Sequence, residues 1–251
     1  MIHILMNINI YIGYDTTNDG QLLAYEICKK SIETNTKFQK YIEVIPLIKK
    51  DLIEKGLYYR ENDSLAATEF TYTRFLAPIL NNYEGVCVFC DSDFIWECDI
   101  YEELMPYIEK MLTENKALCC VQHNHVPNSD VKMDGRAQTI YPRKNWTSLL
   151  IFNCAHKDVR NLTLEKVNSE TGAWLHRLVW CQDENIMELP HTYNYLVGVY
   201  DDEINPKAIH YTDGGPWHLD YVNTEFVDKW IKYLDEDQKR RLVIELQRQK
   251  N

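Results

Sequence analysis

A chain of 251 residues with 45% hydrophobic residues, eight cysteines and a formal net charge of −11 holds enough apolar material for one sizeable α/β core. The acidic balance excludes a broad nucleic-acid-binding face, which needs a basic footprint, so any phosphate must be met by local groups. No stretch is apolar for long enough to span a bilayer, and the start, Met1 to Ile12, is interrupted by His3, Asn7 and Asn9, so the chain reads as soluble, unprocessed and without a transmembrane segment.

In chain order, Asn7-Ile8-Asn9-Ile10-Tyr11-Ile12-Gly13 alternates polar and apolar and predicts a first strand, with a loop at Tyr14 to Gly20. Leu22, Leu23, Ile27 and Ile32 recur at helical spacing, and Ile42 to Leu47 predicts a second strand. Thr68 to Leu80 reads as a helix start carrying Tyr72 and Arg74. The unbroken apolar run Val86-Cys87-Val88-Phe89-Cys90 predicts a strand buried on both faces. Ile100 to Asn115 predicts an amphipathic helix and Ala117 to Val121 a strand. His123 to Asn145 is a long polar loop holding Pro127, Gly135 and Pro142, and long loops in compact domains are usually functional. Ser148 to Asn153 predicts a strand, Thr171 to Trp180 a helix, and Glu225 to Gln249 a helix pair with Phe226, Trp230 and Leu234 facing the core. Such alternation implies a mainly parallel sheet with helices on both faces.

The cysteines include Cys87, Cys90, Cys119 and Cys120 in strand-like runs, where a thiol behaves as a small hydrophobe. Cys87 and Cys90 form a C-x-x-C, but an offset of three in a strand points them to opposite faces, against a zinc or redox pair. A reducing cytosol is the expected compartment, and the Asn-x-Thr triplets at Asn145 and Asn161 then carry no glycan.

The buried run ends on Asp91-Ser92-Asp93, at the carboxyl end of a strand, where open α/β sheets hold their ligands. Side chains two apart in an extended segment point the same way, so Asp91 and Asp93 can face one hard cation together. A solvated acidic pair would sit in a Gly/Asn/Ser-rich loop, whereas this one lies between apolar runs where unpaired carboxylates would be costly. Further on, Ala208-Ile209-His210-Tyr211-Thr212-Asp213-Gly214-Gly215-Pro216-Trp217 offers one imidazole and several backbone N–H groups in a tight turn, which suits a metal-bound diphosphate. The two glycines allow the backbone to approach a phosphate closely.

Tyr11 to Asp15, Tyr72-Thr73-Arg74, Asp91-Ser92-Asp93, Ser148 to Asn153, Gln182-Asp183-Glu184, Leu189 to Asn194 and His210 to Trp217 occur in the order seen in glycosyltransferase family 8. Over roughly residues 7 to 217 the chain resembles that family, which includes glycogenin-like and bacterial galactosyl- and glucosyltransferases of the GT-A fold. The resemblance implies a single Rossmann-like GT-A domain over 1–251, with a nucleotide-binding part at about 7–122, an acceptor-side and metal-closing part at about 123–217, and C-terminal helices at about 224–250. It implies a UDP-sugar donor, a manganese ion with magnesium as the alternative, a glycan or other hydroxyl acceptor, and retention of anomeric configuration. By the same resemblance Asp91, Asp93 and His210 are the metal ligands, Gly13, Tyr14 and Asp15 meet uracil and ribose, and Arg74 helps bind the donor. Ser92, Gly214 and Gly215 then line the donor, and Asp183 and Glu184 lie near the reacting sugar. A donor set of carboxylates plus imidazole favours manganese over magnesium.

The chain departs from the family in two places. Gly215 stands where family members carry a diphosphate-contacting lysine before Pro-Trp, leaving Lys132, Arg143 or Lys144 to supply the charge. Trp146-Thr147-Ser148 replaces a small Asn-Ala-Gly run, which predicts a different acceptor side. Trp146, Tyr211 and Trp217 are candidates for stacking on sugar or for core. The alternatives are a catalytically inactive sugar-nucleotide-binding module and a HAD-type phosphatase, whose D-x-D usually lies near the chain start and continues to Thr or Val where Ile95 stands. A homodimer is compatible with the sequence.

Overall fold

A computed structural model describes residues 5–61, 66, 68–124, 143–200 and 204–250. The first strand, β1 (Ile8–Tyr14), runs into a loop, and Asn18 then caps α1 (Asp19–Asn35), its side chain accepting from the Gln21 N–H. β2 (Ile42–Ile48) and the short α2 (Lys49–Glu54) follow. The helix expected from Thr68 is broken into a 3-10 turn at Thr73–Leu76 and a single α turn, α3 (Ala77–Leu80). Pro78 near the start of α3 explains the break, because proline has no N–H to donate into a preceding turn and is tolerated only where a helix begins.

Next come β3 (Val86–Cys90), β4 (Phe94–Trp96), α4 (Ile100–Thr113) and β5 (Leu118–Val121). After a 3-10 turn at Trp146–Ser148, β6 (Leu149–Asn153) leads to α5 (Leu164–Ser169) and α6 (Gly172–His176). α6 is shorter than expected, since Leu178 adopts a left-handed φ of 55° that a helix cannot continue through. The chain closes with β7 (Ile186–Leu189), β8 (Tyr195–Leu196), β9 (Ala208–His210), α7 (Val227–Ile231) and α8 (Glu236–Arg248).

Among the described residues, six strands form the main sheet in the order β2-β1-β3-β6-β5-β7. β1 is parallel to β2 and β3, β5 is parallel to β7, and only β6 runs against its neighbours. The mainly parallel sheet is therefore present, with one reversed strand beside β3. Along β3, Val86, Val88 and Cys90 pack into one apolar layer with α1 and α4, while Cys87 and Phe89 pack into the other with Phe75, Phe152 and Trp180. Cys87 and Cys90 thus lie on opposite faces, as their spacing requires. A second sheet, β4-β9-β8, sits over a third apolar layer in which Ile95, Ile209, Tyr211 and Trp217 meet α1 and the C-terminal Trp230 and Leu234. Tyr211 and Trp217 are buried core residues here. Among the described residues no helix is long and apolar enough to cross a membrane.

Candidate active site

Two register constraints assemble the site. In the main sheet, Cys90 of β3 pairs with Leu149 of β6, which lays the Trp146–Ser148 turn beside Asp91, whose N–H donates to the Ser148 carbonyl at 2.9 Å. In the small sheet, Phe94 pairs with His210, and Tyr211 N–H donates to the Asp93 carbonyl at 3.0 Å. The His210 ring stacks on Phe94 with centroids 4.3 Å apart and planes 20° apart, and its Nε2 lies 3.3 Å from Asp93 Oδ1. One ligand atom each of Asp91, Asp93 and His210 falls within 4.8 Å of the others.

Arg74 supplies the balancing charge from below. It is almost fully buried, lies between Phe70 and Phe89, donates to the Thr147 carbonyl at 2.8 Å, and places Nη1 3.0 Å from Asp91 Oδ1. One of the two carboxylates is thereby offset within the protein, and the other converges with an imidazole. Between them Ser92 is 1% exposed, and its Oγ has no hydrogen-bond partner among the described residues. Carboxylate and imidazole donors that converge in this way fit a divalent transition metal.

The other expected residues are placed as follows. Gly13 and Tyr14 end β1 just past Ile12, the last β1 residue paired with β3, and they pair with Leu47 and Ile48 of β2; a Cβ on Gly13 would lie 2.5 Å from the Phe70 ring. Asp15 is 1% exposed; its Oδ1 accepts from Thr17 N–H and Oγ–H at 2.9 and 2.5 Å, and its Oδ2 from Glu69 N–H at 3.1 Å. It ties the loop after β1 to the Glu69 backbone. Gly214 and Gly215 are buried against aromatic rings, where added Cβ atoms would lie 2.5 Å from Tyr221 and 2.1 Å from Trp217. Their missing side chains serve internal ring packing.

Asp183 and Glu184 are not brought to the cluster. They precede Ile186, which pairs with Leu118 at the first position of β5, so they lie off the amino ends of β5 and β7 while Asp91 lies off the carboxyl end of β3. Asp183 is exposed and paired with Arg143 at 2.6 Å. Of the cations considered for the diphosphate, Arg143 is therefore engaged elsewhere, Lys144 is buried, and Lys132 lies outside the described residues. Two residues not counted as site residues from sequence belong to it: Asn194, fully buried, whose Oδ1 is 2.8 Å from His210 Nδ1, and Ser148, whose Oγ is 2.8 Å from Asn194 Nδ2. A polar residue closing the Leu189–Asn194 segment was the available signal.

No protein-family model matches the chain. Among solved structures it is similar to the bifunctional glycosyltransferase WbbM (TM-score 0.58, 15% identity, 95% of this chain and 52% of that one). It is also similar to the glycosyltransferase GlyE of Streptococcus pneumoniae TIGR4 (TM-score 0.55, 14% identity, 96% and 63%). A third similar structure is the galactosyltransferase LgtC, solved with donor and acceptor sugar analogues (TM-score 0.50, 12% identity, 93% and 99%). The chain spans about half of the WbbM chain and 63% of the GlyE chain. Its fold is that of the GT-A glycosyltransferases. Protein CDI of Arabidopsis thaliana is 41% identical over 232 residues, covering 90% of this chain and 86% of that protein. The chain belongs to the same family as Protein CDI.

Proposed function

We propose that this protein is a hexosyltransferase that moves a sugar from a UDP-sugar to a hydroxyl of a glycan or other acceptor, with retention of anomeric configuration. The observation that carries the reading is the convergence of Asp91, Asp93 and His210 at the carboxyl end of the central strand of a GT-A fold. Asp91, Asp93 and His210 would hold a manganese ion, which when bound offsets the charge developing on the diphosphate leaving group.

The chain's own residues do the rest. Phe94 and the β4–β9 register hold the imidazole against Asp93, and Arg74, 3.0 Å from Asp91 Oδ1, keeps that carboxylate oriented. Gly13, Tyr14 and Asp15 close the neighbouring strand, where the nucleoside would lie, and the backbone at Ser92 would line the donor between the two aspartates. The closing segment at Gly214 and Gly215 completes the wall through its packing on Tyr221 and Trp217. We take residues 1–251 as one such transferase domain, working in a reducing compartment that keeps its eight cysteines as thiols.

The test is release of UDP from a panel of UDP-sugars with manganese, comparing the native protein with Asp93→Ala and His210→Ala. Turnover of one donor that both substitutions abolish supports the reading and names the sugar. If calorimetry detects no manganese-dependent binding of UDP, the reading is overturned; binding without turnover on any acceptor favours a sugar-nucleotide-binding module.

A further inference from the structure

The metal ligand His210 sits at the end of a directed chain of hydrogen bonds. Ser148 Oγ is 2.6 Å from the Asn145 carbonyl, which can only accept, so the single hydroxyl proton of Ser148 is committed there. Towards Asn194 the same oxygen must therefore accept, and the atom 2.8 Å away is the amide nitrogen Nδ2. The opposite end of that amide is then its carbonyl oxygen, which lies 2.8 Å from His210 Nδ1 and can only accept. His210 Nδ1 consequently carries a proton, and in the neutral ring the lone pair then lies on Nε2, 3.3 Å from Asp93 Oδ1.

We propose that Asn194 and Ser148 are positioning residues that lock His210 in the Nδ1–H tautomer and so hold its Nε2 ready as a metal ligand. This rests on the metal-centre reading above. Imidazole ligands depend on such outer partners for tautomer and ring orientation. The pair is also placed to join both halves of the centre. Ser148 receives the Asp91 N–H on its carbonyl and supports His210 through its hydroxyl, so the Trp146–Ser148 turn holds a ligand from each sheet at once. Asn194 is fully buried and Ser148 3% exposed, which keeps water from competing for either bond.

The deciding measurement needs no metal and no substrate. In the full chain labelled with 15N-histidine, long-range 1H–15N correlation at pH 8 reads the tautomer of His210, identified by the signal lost in His210→Gln. The expected result is Nδ1–H in the native protein and a shift towards Nε2–H in Asn194→Leu and Ser148→Ala. Calorimetric titration with manganese should show a loss of about 10–100-fold in affinity for Asn194→Leu. Asn194→Asp, which keeps an acceptor against Nδ1–H, should restore most of it. A native His210 in the Nε2–H form overturns the proposal, as does a folded Asn194→Leu with native tautomer and native affinity. If Asn194→Leu does not fold, the native spectrum and Ser148→Ala decide. Native manganese binding by Asp93→Ala would sink the metal-centre reading, and the metal-free tautomer would still judge the hydrogen-bond chain.

Discussion

Replacing Arg74 with Met removes a charge while keeping a stem of similar length between the rings of Phe70 and Phe89, which lie 5.5 and 5.0 Å from the guanidinium carbon. What is lost is the contact with Asp91 at 3.0 Å, made by side chains only 8% and 13% exposed, and the bond to the Thr147 carbonyl at 2.8 Å. At an effective dielectric constant of about 20, unit charges at 3.0 Å attract by about 5–6 kcal/mol, before desolvation is set against it. Removing one member of a buried pair costs about 3–5 kcal/mol, because the other is left uncompensated. At about 2–4 °C per kcal/mol for a chain of this size, the melting midpoint in metal-free buffer should fall by about 6–20 °C. Manganese should then raise the midpoint more in the variant than in the native protein, since the Arg74 charge no longer competes for Asp91. A differential scanning measurement in chelator and in manganese makes the comparison. A variant melting within about 2 °C of native, or one that gains less from manganese, would refute the argument that Arg74 offsets the charge of Asp91.

Gly215→Ala would place a Cβ 2.1 Å from the Trp217 ring and should destabilise the protein by about 1–3 kcal/mol, seen as a lower denaturation midpoint with altered tryptophan fluorescence. Burial pushes the carboxyls of Glu103 and Asp158 up, but their partners more than reverse this and both are held below the ordinary carboxylate value: Lys207 and Tyr193 for Glu103, and Asn185, the Gln182 N–H, His156 and Lys157 for Asp158. Depressed folded values mean stability that is complete above the unfolded value of about 4 and lost as pH falls through the folded ones, so melting midpoints should drop between about pH 5 and pH 3. Asp158→Asn should flatten part of that drop, and a midpoint constant over the range would contradict the assignment. Burial, then the Glu103 charge, pushes the Cys98 thiol up to about 12, and the other seven cysteines are buried. Ellman's reagent at pH 8 should therefore react slowly with the native protein and with all eight thiols only after denaturation.

Much of this arrangement is legible in the chain because it rests on short-range pattern. Five consecutive apolar residues before Asp91 read as a strand buried on both faces, as observed, and period two separates Cys87 from Cys90. What could not be read depends on contacts distant in sequence. β4 and β9 are three residues each and β8 two, too short for any periodicity, yet their pairing delivers His210 to Asp93. The Trp146–Ser148 segment reads as an acceptor-side departure, whereas its carbonyls and hydroxyl back the proposed metal ligands, a role visible only once β6 is known to lie antiparallel to β3. Asp183 and Glu184 look like site residues because they are acidic and occur in the family's order. The register of β5 and β7 puts them at the far end of the sheet. Gly214 and Gly215 read as a phosphate cradle, and the close approach they permit is taken up by Tyr221 and Trp217.

The β4–β9 pairing has an all-or-none character. His210 stands opposite Phe94, with Asp93 immediately outside the ladder. Deleting one residue from Ala208–His210 would move the imidazole by about 3.4 Å along the strand and turn it to the other face. No intermediate register leaves the histidine partly engaged. Length changes here would switch off the cation affinity proposed for this site in one step, whereas substitutions around the same ladder would only tune it.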